Sequence, residues 1–522
     1  MRIAVACDHA GFPLKDEVMR VITDTGNQPL NLGTDNTDPV DYPDYATKLA
    51  QAILDGKAER GVLICGSGIG ACIAANKIPG IYAGLCHDVY SAGQSVEHDD
   101  MNVLCLGARI IGPALVPELV RAFLNARFST DERHQRRVGK IRQLERAHQL
   151  QERKMNATLK LLEAGQSVWY DNIQRSLLKN GELAGMVQRG EIRGVTSNPT
   201  IFMNAITKSQ DYDQSLLPLV SSGMSAEEIF FSLAIEDIQA ATDLFLPLYQ
   251  QTKGGDGYVS LEVSPYLANE TEKTLAQAKE LWKRVNRPNL MIKIPATKAG
   301  IPAIAEAIAA GLNVNVTLIF SLVRYAEVMD AYMKGLEKRV AQGLAIDSIA
   351  SVASFFVSRV DTKIDPHLQE IIGLGGAPAL QAAGLLGKTA IANARLAYAD
   401  FKQTFGTERW QKLNAKGARV QRPLWASTST KNPSYRDVVY VEELIGPDTV
   451  NTIPPQTLTA FLDHGQVRAS LEENLPAARQ ALADLEKLGI SMEQVTLQLE
   501  LEGVSSFSNA FSVLLKAINS RR

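Results

Sequence analysis

The feature that most constrains this chain is a rhythm: short apolar runs alternate with stretches of helical spacing along most of its length. Strand-length apolar runs separated by helices build parallel sheets. A parallel neighbour needs a crossover, and the crossover helix covers the sheet face. Residues 1–125 hold five runs: Ile3–Cys7, Pro29–Leu32, Gly61–Cys65, Ile81–Cys86 and Asn102–Gly107. These predict an α/β domain with a doubly wound, five-stranded parallel sheet of Rossmann-like type. From Met155 onwards eight runs follow: Val168–Asp171, Gly194–Ser197, Tyr258–Val263, Leu290–Ile294, Val314–Ile319, Val352–Phe356, Pro423–Ser427 and Thr449–Ile453. Eight βα units predict a closed (β/α)8 TIM barrel with its working end at the C-terminal ends of the strands.

Between the two blocks, residues 131–154 are strongly charged, with Val138, Ile141 and Leu144 at helical spacing. They read as a helix that closes the first domain and runs on as a connector. The expected organisation is a first domain at 1–145, a helical connector at 146–155 and a barrel domain at 156–522. A hydrophobic content of 45% and a charged content of 21% are those of globular chains. A formal net charge of −3 gives no global attraction to nucleic acid or to an anionic membrane, so neither is an expected partner. All five cysteines fall within the first 105 residues, an odd number without CxxC spacing. That is no disulfide framework and suits a reducing compartment. The opening MRIAVACDHA lacks a signal-peptide apolar run, and no stretch has the length of a membrane span. The expected location is cytoplasmic.

In the second block, NLMIKIPAT places Lys293 in an apolar strand, facing opposite to Ile292 and Ile294. An amine inside a barrel is costly unless paired or neutral, and a neutral amine is a nucleophile toward a carbonyl. The alternative is a structural ion pair with Glu262 of the neighbouring strand. Polar residues gather at the same strand ends: Asp171, Asn198, Glu262, Asn315, Thr317 and Ser427. Two carboxylates beside a Schiff-base lysine supply the acid and base for carbinolamine formation, dehydration and C–C cleavage. Arg359, just past a strand, can clamp a phosphate.

Five motifs in order, TSNPT, SLEVSP, MIKIPAT, NVTLIFS and SFFVSR, make residues 155–522 resemble transaldolase. That family moves a three-carbon dihydroxyacetone unit between sugar phosphates. The resemblance implies Lys293 as the Schiff-base nucleophile and Asp171 and Glu262 as the acid/base carboxylates. It implies Thr317 as the holder of a water. Asn198, Asn315, Ser354 and Ser427 are then substrate-binding, and Arg359 binds the phosphate. One departure stands out. Relatives carry a second arginine shortly after the seventh strand's serine, whereas WASTSTKNP offers Lys431 instead.

In the first block, GVLICGSGIGACIAA runs from a strand through a Gly-rich turn into an Ala-rich stretch. The turn's N–H groups form an anion-binding nest, and a helix N-terminus favours the thiolate of a neighbouring Cys65. A thiolate suits removal of a proton alpha to a carbonyl; the alternative is a small buried hydrophobe. Gly66, Gly68 and Ala71 also fit a dinucleotide fingerprint with Asp88 beyond it, but that fingerprint belongs on a first strand and this one follows the third. Asp8 and His9 follow the first strand, and His98 and Asp99 precede the fifth. Arg133 and Arg137 are four apart and share a helix face, which holds a phosphate or is simply a solvated basic face.

The segments CDHAG, TDPVDYPDYA, LICGSGIG, AANKIPGI, SVEHDDMNVL and RHQRRV make residues 1–140 resemble type B ribose-5-phosphate isomerase. The resemblance implies Cys65 as the base that shuttles a proton through an enediolate, steadied by Ser67 and the amides of Gly66, Gly68, Ile69 and Gly70. It implies ring opening by His98, a sugar lined by Asp8, His9 and Tyr42, and a phosphate held by Arg133 and Arg137. It also implies a site formed at a homodimer interface. Asp99 stands where relatives usually carry Asn, beside the substrate. No cofactor is expected, and no metal, since His9, His98 and His134 lack ligand spacing.

The two resemblances together imply a bifunctional enzyme of the non-oxidative pentose phosphate pathway with a functional link to transketolase. Two rivals remain open. One keeps the folds and changes the reactions, to an isomerase of another aldose phosphate and a simple aldolase. In the other, one half is a sugar-phosphate sensor or dimerisation module.

Overall fold

The computed structural model describes residues 1–521, with side chains for all of these except 146–155. The chain divides into two compact units, Met1–Glu152 and Arg153–Arg522. The expected connector is the last part of the helix Glu132–Met155, and its side chains lie outside the described residues.

In the first unit the strands are β1 (Arg2–Cys7), β2 (Gln28–Asn31), β3 (Arg60–Cys65), β4 (Ala83–Leu85) and β5 (Val103–Gly107). They form one parallel sheet in the order β2-β1-β3-β5-β4. β1 from Ile3 to Cys7 is fully buried because both sheet faces are covered. Helices Phe12–Asp24, Val89–Asp99 and Val116–Asn125 supply the core of one face. Tyr42–Leu54 and Ile69–Ala75 supply the other. β1 and β3 are neighbours whose connections leave in opposite directions, which opens a crevice at their C-terminal ends. Asp8 and Cys65 stand there. This is the expected doubly wound sheet.

In the second unit the strands are β6 (Gln166–Tyr170), β7 (Val259–Glu262), β8 (Leu290–Pro295), β9 (Val314–Ile319), β10 (Ser351–Phe356), β11 (Arg422–Ala426) and β12 (Thr449–Ile453). They curl into a parallel sheet in the order β6-β12-β11-β10-β9-β8-β7. The eighth expected strand, Gly194–Ser197, is reduced to Val195, which bridges Tyr170 on one side and Val259 on the other. Hydrogen bonds from Tyr170 N to Gly194 O (2.9 Å) and from Ser260 N to Val195 O (3.0 Å) complete the ring there. The run is short for two reasons. Gly194 lies against the Trp169 indole, where a Cβ would come within 2.8 Å. Asn198 already caps the helix Pro199–Thr207.

Asp256 ties the N-terminal end of this barrel together. Its carboxylate accepts from Ser167 Oγ, from Trp169 Nε1 at 2.8 Å and from Arg193 Nε at 2.8 Å. At the other end the helix Met492–Asn519 packs onto the mouth. Gly503 lets it approach closely, since a Cβ there would stand 2.9 Å from Leu318 Cδ2. The Phe511 ring meets Phe230 and Tyr266 edge-on. Among the described residues no helix is long and apolar enough to cross a membrane.

Candidate active sites

Strand register assembles the barrel site. Glu262 on β7 pairs with Lys293 on β8, and Lys293 pairs with Asn315 on β9. Alternation points all three inward. Lys293 is 5% exposed; its Nζ stands 3.7 Å from Glu262 Oε2 and donates to Ser197 O at 3.2 Å. Burial pushes the Glu262 carboxyl up to about 7, with Lys293 opposing and Asp171 adding to the rise. Asp171 follows β6, and burial raises its carboxyl too, against the pull of Lys293 and of Thr196. Thr196 Oγ1 donates to Asp171 Oδ1 at 2.7 Å. Both carboxyls are therefore held closer to exchanging protons than solvated ones.

Asn315 is fixed at both ends of its amide. Nδ2 donates to Ser260 Oγ at 3.0 Å, and Oδ1 accepts from Ser354 Oγ at 2.7 Å. Two buried oxygens, Thr317 Oγ1 and Glu262 Oε2, have no hydrogen-bond partner. An unpaired buried oxygen is costly, so both are poised to bond a water or a substrate hydroxyl.

A cavity of about 280 Å³ opens over Lys293. Asp171, Asn198, Lys293, Ser354, Arg359 and Ser427, all expected from the sequence, line it. Glu262, Asn315 and Thr317 do not: Glu262 reaches Lys293 from the flank, and the β9 residues sit in the barrel wall. Asn198 also caps its helix, accepting from Ile201 N at 3.0 Å. Arg359 lies over the Phe356 ring, its guanidinium carbon 5.4 Å from the centroid. Lys431 lines the cavity as well and donates to Ser429 Oγ at 2.8 Å. Three cations thus face a cavity with one carboxylate, a balance that suits a phosphorylated ligand. Ser427 holds a left-handed φ of 55° and its Oγ is 3.1 Å from Ser358 Oγ. Sequence reasoning did not find Thr196, Thr452 or Phe507 in the lining. Phe507 arrives from the C-terminal helix, far along the chain, and carries no local signal.

In the first unit Cys65 ends β3 and is 4% exposed. Gly68 N donates to its sulfur at 3.1 Å. Gly68 has a φ of 80°, and Gly107 on β5 lets Ser67 lie close, where a Cβ would stand 2.5 Å from Ser67 O. Tyr42 rests against Gly70, its ring carbon 2.8 Å from a Cβ placed there. His9 Nδ1 meets the backbone of Val40 at 3.1 Å. Asp8 Oδ1 accepts from Gly11 N at 2.8 Å and shapes the turn. So Asp8, His9, Tyr42, Cys65, Gly66, Ser67, Gly68, Ile69 and Gly70 gather at one sheet end. Arg109 joins them beside Gly66, and His87 accepts from Gly107 N at 3.1 Å.

His98, Asp99, Arg133 and Arg137 form a second group. His98 Nδ1 pairs with Gln94 Nε2 at 2.6 Å, and its ring centroid is 3.9 Å from that of His134. Burial first, then His98 and Arg133, push the His134 imidazole down. Asp99, Arg133 and Arg137 are exposed. The register explains the separation. Cys65 pairs with Gly107, while Val103, four residues after Asp99, pairs with Gly61. His98 therefore stands near the opposite end of parallel strands, about 13 Å along them. Among the described residues no hydrogen bond, ion pair or ring contact joins the two groups. Among those residues, too, no cluster of three or more His, Cys, Asp or Glu side chains is placed for a metal ion.

Residues 3–141 match the family model described as Ribose/Galactose Isomerase, and residues 168–518 match Transaldolase/Fructose-6-phosphate aldolase. A transaldolase of Parafrankia sp. (strain EAN1pec) is 50% identical over 359 residues, covering 69% of this chain and 96% of that protein. One from Trichodesmium erythraeum (strain IMS101) is 44% identical over 370 residues, covering 70% and 97%. Among solved structures, the type B ribose 5-phosphate isomerase of Trypanosoma brucei is 43% identical, covering 27% of this chain and 97% of that one, with a TM-score of 0.27. With two thirds of its length matched and half of those positions identical to a full-length relative, the chain belongs to the transaldolase/fructose-6-phosphate aldolase family, and ahead of that barrel it carries a ribose/galactose isomerase domain.

Proposed function

We propose that the chain is a bifunctional cytoplasmic enzyme of the non-oxidative pentose phosphate pathway. The barrel transfers a dihydroxyacetone unit from sedoheptulose 7-phosphate to glyceraldehyde 3-phosphate, giving erythrose 4-phosphate and fructose 6-phosphate. The single observation that carries this is Lys293, buried, 3.7 Å from a carboxyl raised to about 7, under a cavity lined by Arg359 and Lys431.

The Lys293 amine adds to the ketose carbonyl, whose oxygen takes a proton to give a carbinolamine. Loss of water leaves an imine. Glu262, beside the amine, donates and accepts these protons, with the unpaired Thr317 hydroxyl holding the water. Asp171, on the cavity wall, removes the C4 hydroxyl proton. The C3–C4 bond breaks, its electrons pass to the imine to give an enamine, and an aldose leaves. The enamine carbon attacks the acceptor aldehyde, which regains the proton, and water releases the new ketose. Asn198, Ser354 and Ser427 orient hydroxyls, Asn315 holds the Ser354 hydroxyl in place from the barrel wall, and Arg359 binds the phosphate.

The first unit interconverts ribose 5-phosphate and ribulose 5-phosphate, with Cys65 as base and the Gly66–Gly70 amides and Ser67 holding the enediolate. His98, Arg133 and Arg137 belong to the same chemistry but sit at the far end of the strands. A second copy of the chain brings them to Cys65. This homodimer is supported by exposed apolar residues near the Cys65 turn: Ile69 at 54%, Ile73 at 57% and Ile110 at 60%. Neither site's product is the other's principal substrate, so a transketolase step lies between them. The test is to assay the purified full chain for both reactions. Erythrose 4-phosphate formed from sedoheptulose 7-phosphate, and ribulose 5-phosphate formed from ribose 5-phosphate, are expected. Free dihydroxyacetone, or activity only with a 6-phosphate aldose, would favour the rival reactions.

A further inference from the structure

Lys431 occupies an exposed loop between β11 and the short helix Val439–Glu442, yet it has to face Arg359 across the cavity. Two phenol–carboxylate bonds, one half-buried from the loop itself and one buried from the helix that follows it, hold that loop. Tyr435 Oη donates to Asp365 Oδ2 at 2.7 Å, and Tyr440 Oη donates to Asp361 Oδ2 at 2.8 Å. Both acids lie one turn apart on the helix Ser358–Leu374, whose second residue is Arg359. Their other oxygens are also engaged. Asp365 Oδ1 accepts from Gly387 N at 3.2 Å, and Asp361 Oδ1 accepts from Ala390 N at 2.7 Å. Asp361 is 1% exposed and Tyr440 2%, so their bond is sheltered from water, while Asp365, 6% exposed, bonds a half-buried Tyr435. Gly387, with a φ of 66°, makes room for the Tyr435 ring, which a Cβ would approach to 2.7 Å. The loop has further ties: Arg436 makes a bidentate pair with the buried Glu442 at 2.7 and 2.9 Å, Thr430 Oγ1 donates to Arg436 O at 3.0 Å, and Asp437 meets His464 in an exposed pair that is weak in water. The Tyr435 and Tyr440 bonds differ from these in reaching the helix that carries Arg359. Tyr435 and Gly387 also border a second cavity of about 660 Å³, so the loop has open space beside it when the bond is lost.

We propose that Tyr435 and Asp365, backed by Tyr440 and Asp361, are positioning residues that fix the Lys431 loop against the Arg359 helix and so set the spacing of the two cations that grip a substrate phosphate. The proposal rests on the reading that this cavity binds a sugar phosphate.

The test uses the full chain and three proteins: wild type, Tyr435→Phe and Asp365→Asn. Tyr435→Phe should raise KM for fructose 6-phosphate about tenfold and change kcat by less than about twofold, the pattern of lost uniform binding. Affinity for inorganic phosphate, titrated calorimetrically, should fall by about the same factor. Asp365→Asn keeps its one oxygen for the Gly387 N–H and can donate its amide NH2 to the phenol oxygen, so the tie survives reversed and the loss should be less than about threefold. A purely structural role would lower the melting temperature in both variants and leave phosphate affinity unchanged in the folded protein. That result overturns the proposal, as does a wild type that binds no phosphate. Should wild type fail to turn over fructose 6-phosphate, the functional reading falls, and the phosphate titration still decides the loop's role.

Discussion

The barrel and the open sheet solve the same problem, gathering distant polar groups around a small phosphorylated ligand, in different ways. In the barrel, inward alternation on β7, β8 and β9 sets Glu262, Lys293 and Asn315 side by side within one chain. In the sheet, parallel register keeps Cys65 and the segment holding His98 at opposite ends of one chain. The lesson is geometric. A closed sheet converges on itself, whereas an open one leaves its strand-end residues facing outward.

The largest effects separate the two chemistries. Lys293→Met should reduce transaldolase activity by at least about a thousandfold and leave isomerase activity unchanged. Cys65→Ala should do the reverse, and an isomerase that survives it has another base. Alkylation is a poorer probe than substitution here. Cys72 is half-buried, and a hydrogen bond from Cys105 brings its thiol down to about 7, so it competes for reagent.

Mixing sharpens the comparison next. Cys65→Ala and His98→Asn chains should each be inactive as isomerases. Unfolded together and refolded, they should regain about a quarter of wild-type activity on the proposed homodimer, in which half the pairs would be mixed and each would hold one intact site. Paired barrel variants, Lys293→Met with Asp171→Asn, should regain none. Recovery in the barrel pair, or none in the sheet pair, would reverse the assignment.

Stability should also differ between the units. Asp256→Ala removes the acceptor shared by Ser167, Trp169 and Arg193 and leaves a half-buried guanidinium short of its partner. It should cost the barrel about 3 kcal/mol, read as a lower melting transition, with the first unit's transition unmoved. A smaller effect concerns pH. The Glu262 carboxyl is raised from 4.5 to about 7 in the folded state. Between those values the folded chain keeps a proton that the unfolded chain releases. Barrel stability should therefore fall as pH rises through that window, and Glu262→Gln should flatten the slope. A steeper slope in the variant would contradict the burial argument.

Much of this was legible in the sequence, for identifiable reasons. Strand alternation alone turns Lys293 inward, and glycine spacing alone builds the turn after Cys65. The eighth barrel strand was read too long, because the crowding of Gly194 on Trp169 joins residues from separate segments. His98 was readable as preceding β5, but only the β3–β5 register says which end of the sheet that is. Phe507 and the Tyr435–Asp365 bond were invisible. They depend on helix packing and on a pair 70 residues apart, with no periodic pattern linking them.

The most direct measurement is borohydride reduction of the full chain in the presence of fructose 6-phosphate, followed by peptide mass spectrometry. Borohydride reduces an imine and leaves a hydrogen-bonded complex intact, so it reports the covalent step itself. The account predicts one stable adduct, on Lys293, absent from Lys293→Met and absent without the sugar. An adduct on another lysine, or turnover with no adduct at all, would contradict it.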